Sequence, residues 1–243
     1  MWIEDPLNSQ RARVDANGRL LINNIVSREE FTALNPTPGT GIAQSIQTTF
    51  SATNGILAVR NTETDDEKGR AIIPISLRLI NTVVGASTTR SEGLIALDTT
   101  SRYASGGSTL TGLKTNLHES PGSIADIRFG ALTLNAEGAG VRRASRFQLR
   151  TSIMVQFEEW IIGWAGPSGQ PPQALNVPSG NNLSAANAQR NVTIVPAMIL
   201  APSRVASNCL VVHLWNPGNA ATAPSWEVEF VWAEMPINQI NTV

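Results

Sequence analysis

The chain has 243 residues, 42% of them hydrophobic and only 15% charged, with a formal net charge of −1. That length suits one large domain, or one domain with an arm, and the hydrophobic share is enough for a real core. Charge this sparse and balanced argues against a nucleic-acid binder that works through phosphate contacts.

Residues 1–40 differ from the rest and are expected to form an N-terminal arm. The first ten, MWIEDPLNSQ, lack the basic-then-apolar order of a signal peptide. RARVDANGRLLI, from Arg11 to Ile22, holds two short alternating runs around Asn17-Gly18, a strong local signal for a tight hairpin. Ile25 to Leu34 is expected to add a helical turn, with Ser27 as N-cap and Glu30 at capping-box spacing. The Pro- and Gly-rich stretch from Asn35 to Gly41 then breaks any regular element.

Residues 41–243 read as strand after strand, over 42–50, 55–61, 72–84, 93–98, 124–135, 146–157, 192–200, 208–215 and 225–234. Phe147, Leu149, Thr151, Ile153, Val155 and Phe157 alternate with polar residues, as expected of a strand wetted on one face. Ile73, Ile75, Leu77 and Leu79 do the same, but Pro74 cannot donate to a ladder and calls for an edge or a bulge. Near the C-terminus, Trp226, Val228, Phe230 and Trp232 share one face, while Leu210 to Trp215 is apolar almost throughout. These two runs are expected to pair as a hairpin across 216–224.

Two loops are long: 99–123, rich in Ser, Thr and Gly, and 158–191, which carries Trp160, Ile161, Ile162 and Trp164. Such loops are usually functional or disordered. Counted from 55–61 there are eight principal strands, which fits a jelly-roll-like antiparallel β-sandwich. An immunoglobulin-like sandwich is the structural alternative, but the Cys-Trp-Cys pattern is missing.

Little in the sequence points to catalysis. Cys209 and His213 fall on one strand face, but zinc needs three or four ligands and no further cluster supplies them. Cys209 lies among apolar residues, which suits a core thiol rather than a nucleophile. Its being the only cysteine rules out an intramolecular disulfide. His118 sits in a Ser/Thr/Gly loop. Glu158 and Glu159 are adjacent, so in extended chain their carboxylates diverge and make a poor acid–base couple. Arg142, Arg143, Arg146 and Arg150 form the only basic cluster, read as a solvated face or a source of inter-subunit salt bridges. Trp160 and Trp164 are read as anchors for loop packing or a subunit interface, with sugar stacking as the alternative.

The segment EDP…RARVDANGRLLI and the ending CLVVHLWNPGNAATAPSWEVEFVWAEM resemble virion structural proteins of tailed bacteriophages. The resemblance implies a jelly-roll capsid cement, or decoration, protein on the capsid exterior, assembled in the host cytoplasm. Its partners would be the major capsid protein and two further copies of itself in a homotrimer. Trp160, Ile161, Ile162, Trp164, Arg142 and Arg143 are the expected interface residues. No catalysis, cofactor, metal, nucleic acid or membrane is expected. A carbohydrate- or receptor-binding module of a tail or fibre is the alternative, with a glycan as ligand.

Overall fold

The computed structural model describes residues 2–4, 11–14, 20–21, 29–83, 91–115, 121–149, 159–164, 190–195, 197–217 and 222–240. For 2–4, 11–14, 20–21, 159–160, 190–195 and 239 it describes the backbone alone. The strands run in the order β1 (Trp2–Glu4), β2 (Arg11–Val14), β3 (Leu20–Leu21), β4 (Glu29–Leu34), β5 (Ile42–Ala43) and β6 (Asn54–Asn61). They continue as β7 (Arg70–Val83), β8 (Ser91–Asp98), β9 (Tyr103–Leu110), β10 (Leu113–Lys114) and β11 (Ala125–Leu134). The last are β12 (Arg142–Leu149), β13 (Glu159–Trp164), β14 (Arg190–Val195), β15 (Cys209–Trp215) and β16 (Ser225–Pro236).

β1, β2 and β3 form a small antiparallel sheet of their own, and the β2–β3 pairing is the hairpin expected around Asn17-Gly18. The turn itself lies outside the described residues. The rest forms two sheets. Sheet I has the order β10-β4-β16-β7-β13-β14, with β5 also on β16; sheet II has the order β12-β8-β15-β6-β11-β9.

Within these sheets, β4, β6, β7, β8, β12, β13, β15 and β16 are wired as a jelly roll. The first pairs with the eighth, the eighth with the third, and the third with the sixth, giving β4-β16-β7-β13. The second pairs with the seventh, the seventh with the fourth, and the fourth with the fifth, giving β6-β15-β8-β12. Every one of these pairs is antiparallel, the connectivity of two interlocked Greek keys. The fold class read from the sequence is therefore present, but with a different membership of strands.

Several elements differ from expectation. Residues 29–34 are not part of a helical turn but a strand between β10 and β16. The local capping pattern loses to a period of two in which Phe31 and Ala33 enter the core. The sandwich thus begins at residue 29, inside what reads as the arm. Residues 159–164 are not loop but strand β13, antiparallel to β7 and parallel to β14. Paired on both edges, the strand turns Ile162 and Trp164 into the core and leaves Ile161 half-buried on the other face. The last two strands do not pair with each other: β15 lies in sheet II and β16 in sheet I, so 216–224 spans the sandwich. Residues 103–110, inside the expected Ser/Thr/Gly loop, form edge strand β9.

The core lies between the two sheets. On β16, Trp226, Phe230 and Trp232 are completely buried and Val228 nearly so, as the alternation requires. Trp232 is stacked between Phe31 and Phe230, with centroids at 5.7 and 5.2 Å. Glu234 continues the inward face and is also buried. It is satisfied there by Arg70 Nη1 (2.9 Å), Ser123 Oγ (2.7 Å), the Ile124 N–H (3.0 Å) and Trp232 Nε1 (3.0 Å). A buried carboxylate persists only when paired and hydrogen-bonded in this way. Pro74 falls at a bulge, where Val231 faces Ser76 but Trp232 faces Pro74. Glycine is needed where β11 bulges: Gly130 has φ +121°, and a Cβ there would lie 2.6 Å from the Ile42 side chain.

Candidate functional site

β15, β8 and β12 are neighbours in sheet II, and their registers decide which side chains meet on its outer face. Trp215 lies opposite Glu92, His213 opposite Leu94, and Leu94 opposite Arg146. Arg143 is three residues from Arg146, and in a regular strand the two would point to opposite faces. A bulge between Arg143 and Ser145 adds one residue to β12 and returns Arg143 to the outer side. Ala144, the residue between them, packs against the core.

The fourth wall is the segment from Gln44 to Thr53. Only Ile42 and Ala43 of the strand expected over 42–50 are extended in a sheet. The rest is a loop tied down at several points. Asn216 donates its backbone N–H to the Gln47 carbonyl at 2.9 Å, and Asn54 Nδ2 donates to Gln47 Oε1 at 3.1 Å. His213 Nδ1 lies 2.6 Å from the Asn54 carbonyl. Phe50 is thereby placed edge-on to His213 and Trp215, with centroids at 5.2 and 5.7 Å.

Thr48, Thr49, Phe50, Glu92, Leu94, Arg143, Arg146, Trp215 and Pro217 line a groove of about 520 Å³. The Arg143 guanidinium stands 4.9 Å from the Phe50 ring centroid and that of Arg146 5.9 Å from the Trp215 ring. Each cation also has a carboxylate. Arg143 Nη2 donates to Glu137 Oε2 at 2.9 Å, and Arg146 Nη2 donates to Glu92 Oε2. The Glu92 side chain is 4% exposed, whereas that of Arg146 is 63% exposed. The groove therefore joins apolar surface to oriented polar groups, is accessible, and among the described residues is close to neutral in net charge.

Other residues read from the sequence are placed as follows. Ile162 and Trp164 point into the chain's own core; Trp164 donates Nε1–H to Met198 Sδ at 3.0 Å and meets Phe230 edge-on at 6.2 Å. They do not form the expected exposed loop patch. Ile161 is half-buried, and the Trp160 side chain lies outside the described residues, as do His118, Arg150 and Glu158 and the side chain of Glu159. Arg142 and Arg143 are exposed. Arg142 lines a separate cavity of about 190 Å³ beside Asp98 and Cys209, so the arginine cluster is split between two places.

Cys209 and His213 do share the outer face, but an extended strand separates residues four apart by about 13 Å. Burial pushes the Cys209 thiol up to about 11, which keeps it protonated and unreactive. Burial also holds His213 below its ordinary value, partly opposed by its bond to the Asn54 carbonyl. Its Nε2 is buried with no partner among the described residues. Asp98 is depressed in spite of burial, because the Gly138 N–H, the Thr100 hydroxyl and N–H, and Arg102 all favour its charged form. No group of three or more metal-ligating side chains occurs among the described residues.

The sequence could have disclosed part of this groove. Cys209, Val211, His213 and Trp215 alternate outward on β15, and a histidine and a tryptophan there mark a face that is roofed yet polar. Phe50 and the β12 bulge carry no such signal, because both depend on contacts made across the sheet. Comparison of the chain with family models, with curated proteins and with solved structures returned no match.

Proposed function

We propose that the protein is a structural virion component that decorates a phage capsid, bracing neighbouring major capsid proteins from the outside as a homotrimer. Support comes first from the jelly-roll wiring, an architecture shared by viral capsid proteins and lectin domains. Further support comes from the N-terminal sheet β1–β3, whose described strands pair with one another and with neither sheet of the sandwich. A sheet this small has little stability alone, so it suits an arm that lies on a partner. The β4–β10 edge adds apolar surface for a neighbouring subunit, with Leu34 53% and Leu113 61% exposed. If the protein binds only the assembled shell, it stabilises that state by mass action. The test is a low-resolution map of particles with and without this chain, together with light scattering of the purified protein. Trimeric density on the capsid exterior is expected; particles that never carry the chain refute the reading.

The arginine–aromatic groove favours a second reading, a carbohydrate- or receptor-binding module of a tail or fibre. Jelly rolls also serve as lectins, and the groove joins apolar surface to fixed polar groups as ligand sites do. A glycan array separates the two.

A further inference from the structure

We propose that the groove between the 44–53 loop and β12 is a saccharide-binding site, and that its ligand is a neutral sugar rather than an anionic one. This rests on the second reading above and gives it a location, away from the two long loops where the sequence points. The size fits: about 520 Å³ lies within the roughly 300–1,000 Å³ of small-ligand sites.

The lining supplies both halves of sugar recognition. Phe50, Leu94 and Pro217 offer apolar surface to the C–H faces of a ring. Arg143, Arg146, Thr48 and Thr49 offer polar groups to its hydroxyls. Among the described residues, each guanidinium gives one N–H to its carboxylate, through Nη2 in both cases. A guanidinium has five N–H donors in a rigid fork, so donors remain to meet adjacent hydroxyl oxygens. The threonine hydroxyls both donate and accept.

The arginines are also held in place before any ligand arrives. Glu137 fixes Arg143 and Glu92 fixes Arg146, while Phe50 and Trp215 support the guanidinium planes. Preorganisation of this kind lowers the ordering cost of binding. The same ion pairs decide the charge of the ligand. Among the described residues two arginines and two glutamates cancel, so a phosphate, sulfate or uronate gains little net attraction from them and meets the nearby carboxylates. A neutral polyhydroxyl ligand needs directed donors rather than net charge.

The experiment uses the full chain on a printed array of neutral oligosaccharides and of uronic-acid-containing ones, followed by calorimetric titration of the best binder. At least one neutral glycan should bind, and Arg143→Ala and Arg146→Ala should each weaken it tenfold or more. The Arg143 side chain is more than half exposed, so the melting curve of Arg143→Ala should stay near the wild-type value, whereas Arg146→Ala takes a cation from the 4%-exposed Glu92 carboxylate and should melt lower while remaining folded. Arg142→Ala, on the neighbouring cavity, should bind as the wild type does. If no glycan binds, this inference and the second reading fall together. If a glycan binds equally well to the Arg143 and Arg146 variants, the groove alone is overturned. Binding restricted to acidic glycans and abolished by salt would overturn the neutral ligand.

Discussion

Trp232→Ala tests the register of the central strand. The side chain is completely buried, lies between Phe31 and Phe230 at interplanar angles of 15° and 18°, and donates to Glu234 at 3.0 Å. Truncating a core tryptophan costs about 3–5 kcal/mol. Glu234 loses one donor as well, but Arg70, Ser123 and Ile124 remain, so the upper half of that range is expected without collapse of the carboxylate site. A domain of this size has about 5–15 kcal/mol to lose. At about 2–4 °C per kcal/mol, the melting temperature should fall by roughly 8–20 °C. The assay is thermal unfolding followed by circular dichroism, paired with urea unfolding to check that the slope is unchanged. Trp232→Phe, which keeps a ring between the two phenylalanines but loses the N–H donor, should fall between the two proteins. A Trp232→Ala curve within two or three degrees of wild type would mean that this face is wet and that the packing between the sheets is misassigned.

Removal of residues 1–28 should leave a folded β-rich core, whereas removal of 1–35 should destabilise it severely, because β4 carries Phe31 and Ala33 into the core; equal melting temperatures for the two truncations would refute the placement of β4. Glu234→Gln leaves the Arg70 cation without its carboxylate and should cost at or below the ~3–5 kcal/mol of a broken buried pair, since the Arg70 side chain is 20% exposed; an unaltered urea midpoint would count against it. Burial depresses His213 below 6.5, so as pH falls below that value the unfolded chain takes up a proton that the folded chain refuses, and stability present above pH 6.5 is lost toward the lowered folded pKa. The melting temperature should therefore drop between about pH 7.5 and 5, with a shallower slope in His213→Gln; parallel slopes for the two proteins would remove His213 as the cause.

What could be read from the chain was what depends on period and polarity within one strand. The inward set on β16, the doubly covered β15 and the bulge at Pro74 all follow from side chains a few residues apart. What could not be read depends on which strand lies alongside. Glu29–Leu34 is too short for its alternation to outweigh a capping pattern until β16 and β10 flank it. Glu159–Trp164 reads as an apolar loop until β7 and β14 cover both edges. The pairing of β15 with β16 is the natural guess for neighbouring runs, yet the jelly roll sends its seventh and eighth strands to opposite sheets. The same limit hid the groove, whose walls come from residues 48–50, 92–94, 143–146 and 215–217.

The position of the groove follows from how the outer face of sheet II is roofed. β15 turns Cys209, Val211, His213 and Trp215 outward, and all four are buried. Their cover is assembled from outside the jelly-roll core. Leu132, Leu134 and Tyr103, contributed by inserted strands β11 and β9, close over Cys209 and Val211. Completely buried Arg102 pins that cover from within: it donates Nε–H to the Asn135 carbonyl at 3.0 Å, donates to the Ala52 carbonyl and pairs with Asp98 at 3.4 Å. Phe50 then carries the roof over His213 and Trp215. β12 is the edge strand of this sheet, and there the aromatic cover gives way to Arg143 and Arg146. The groove is the margin where a roof needed for stability meets the sheet edge. That is why rigid aromatic rings and oriented guanidiniums stand together at one accessible place.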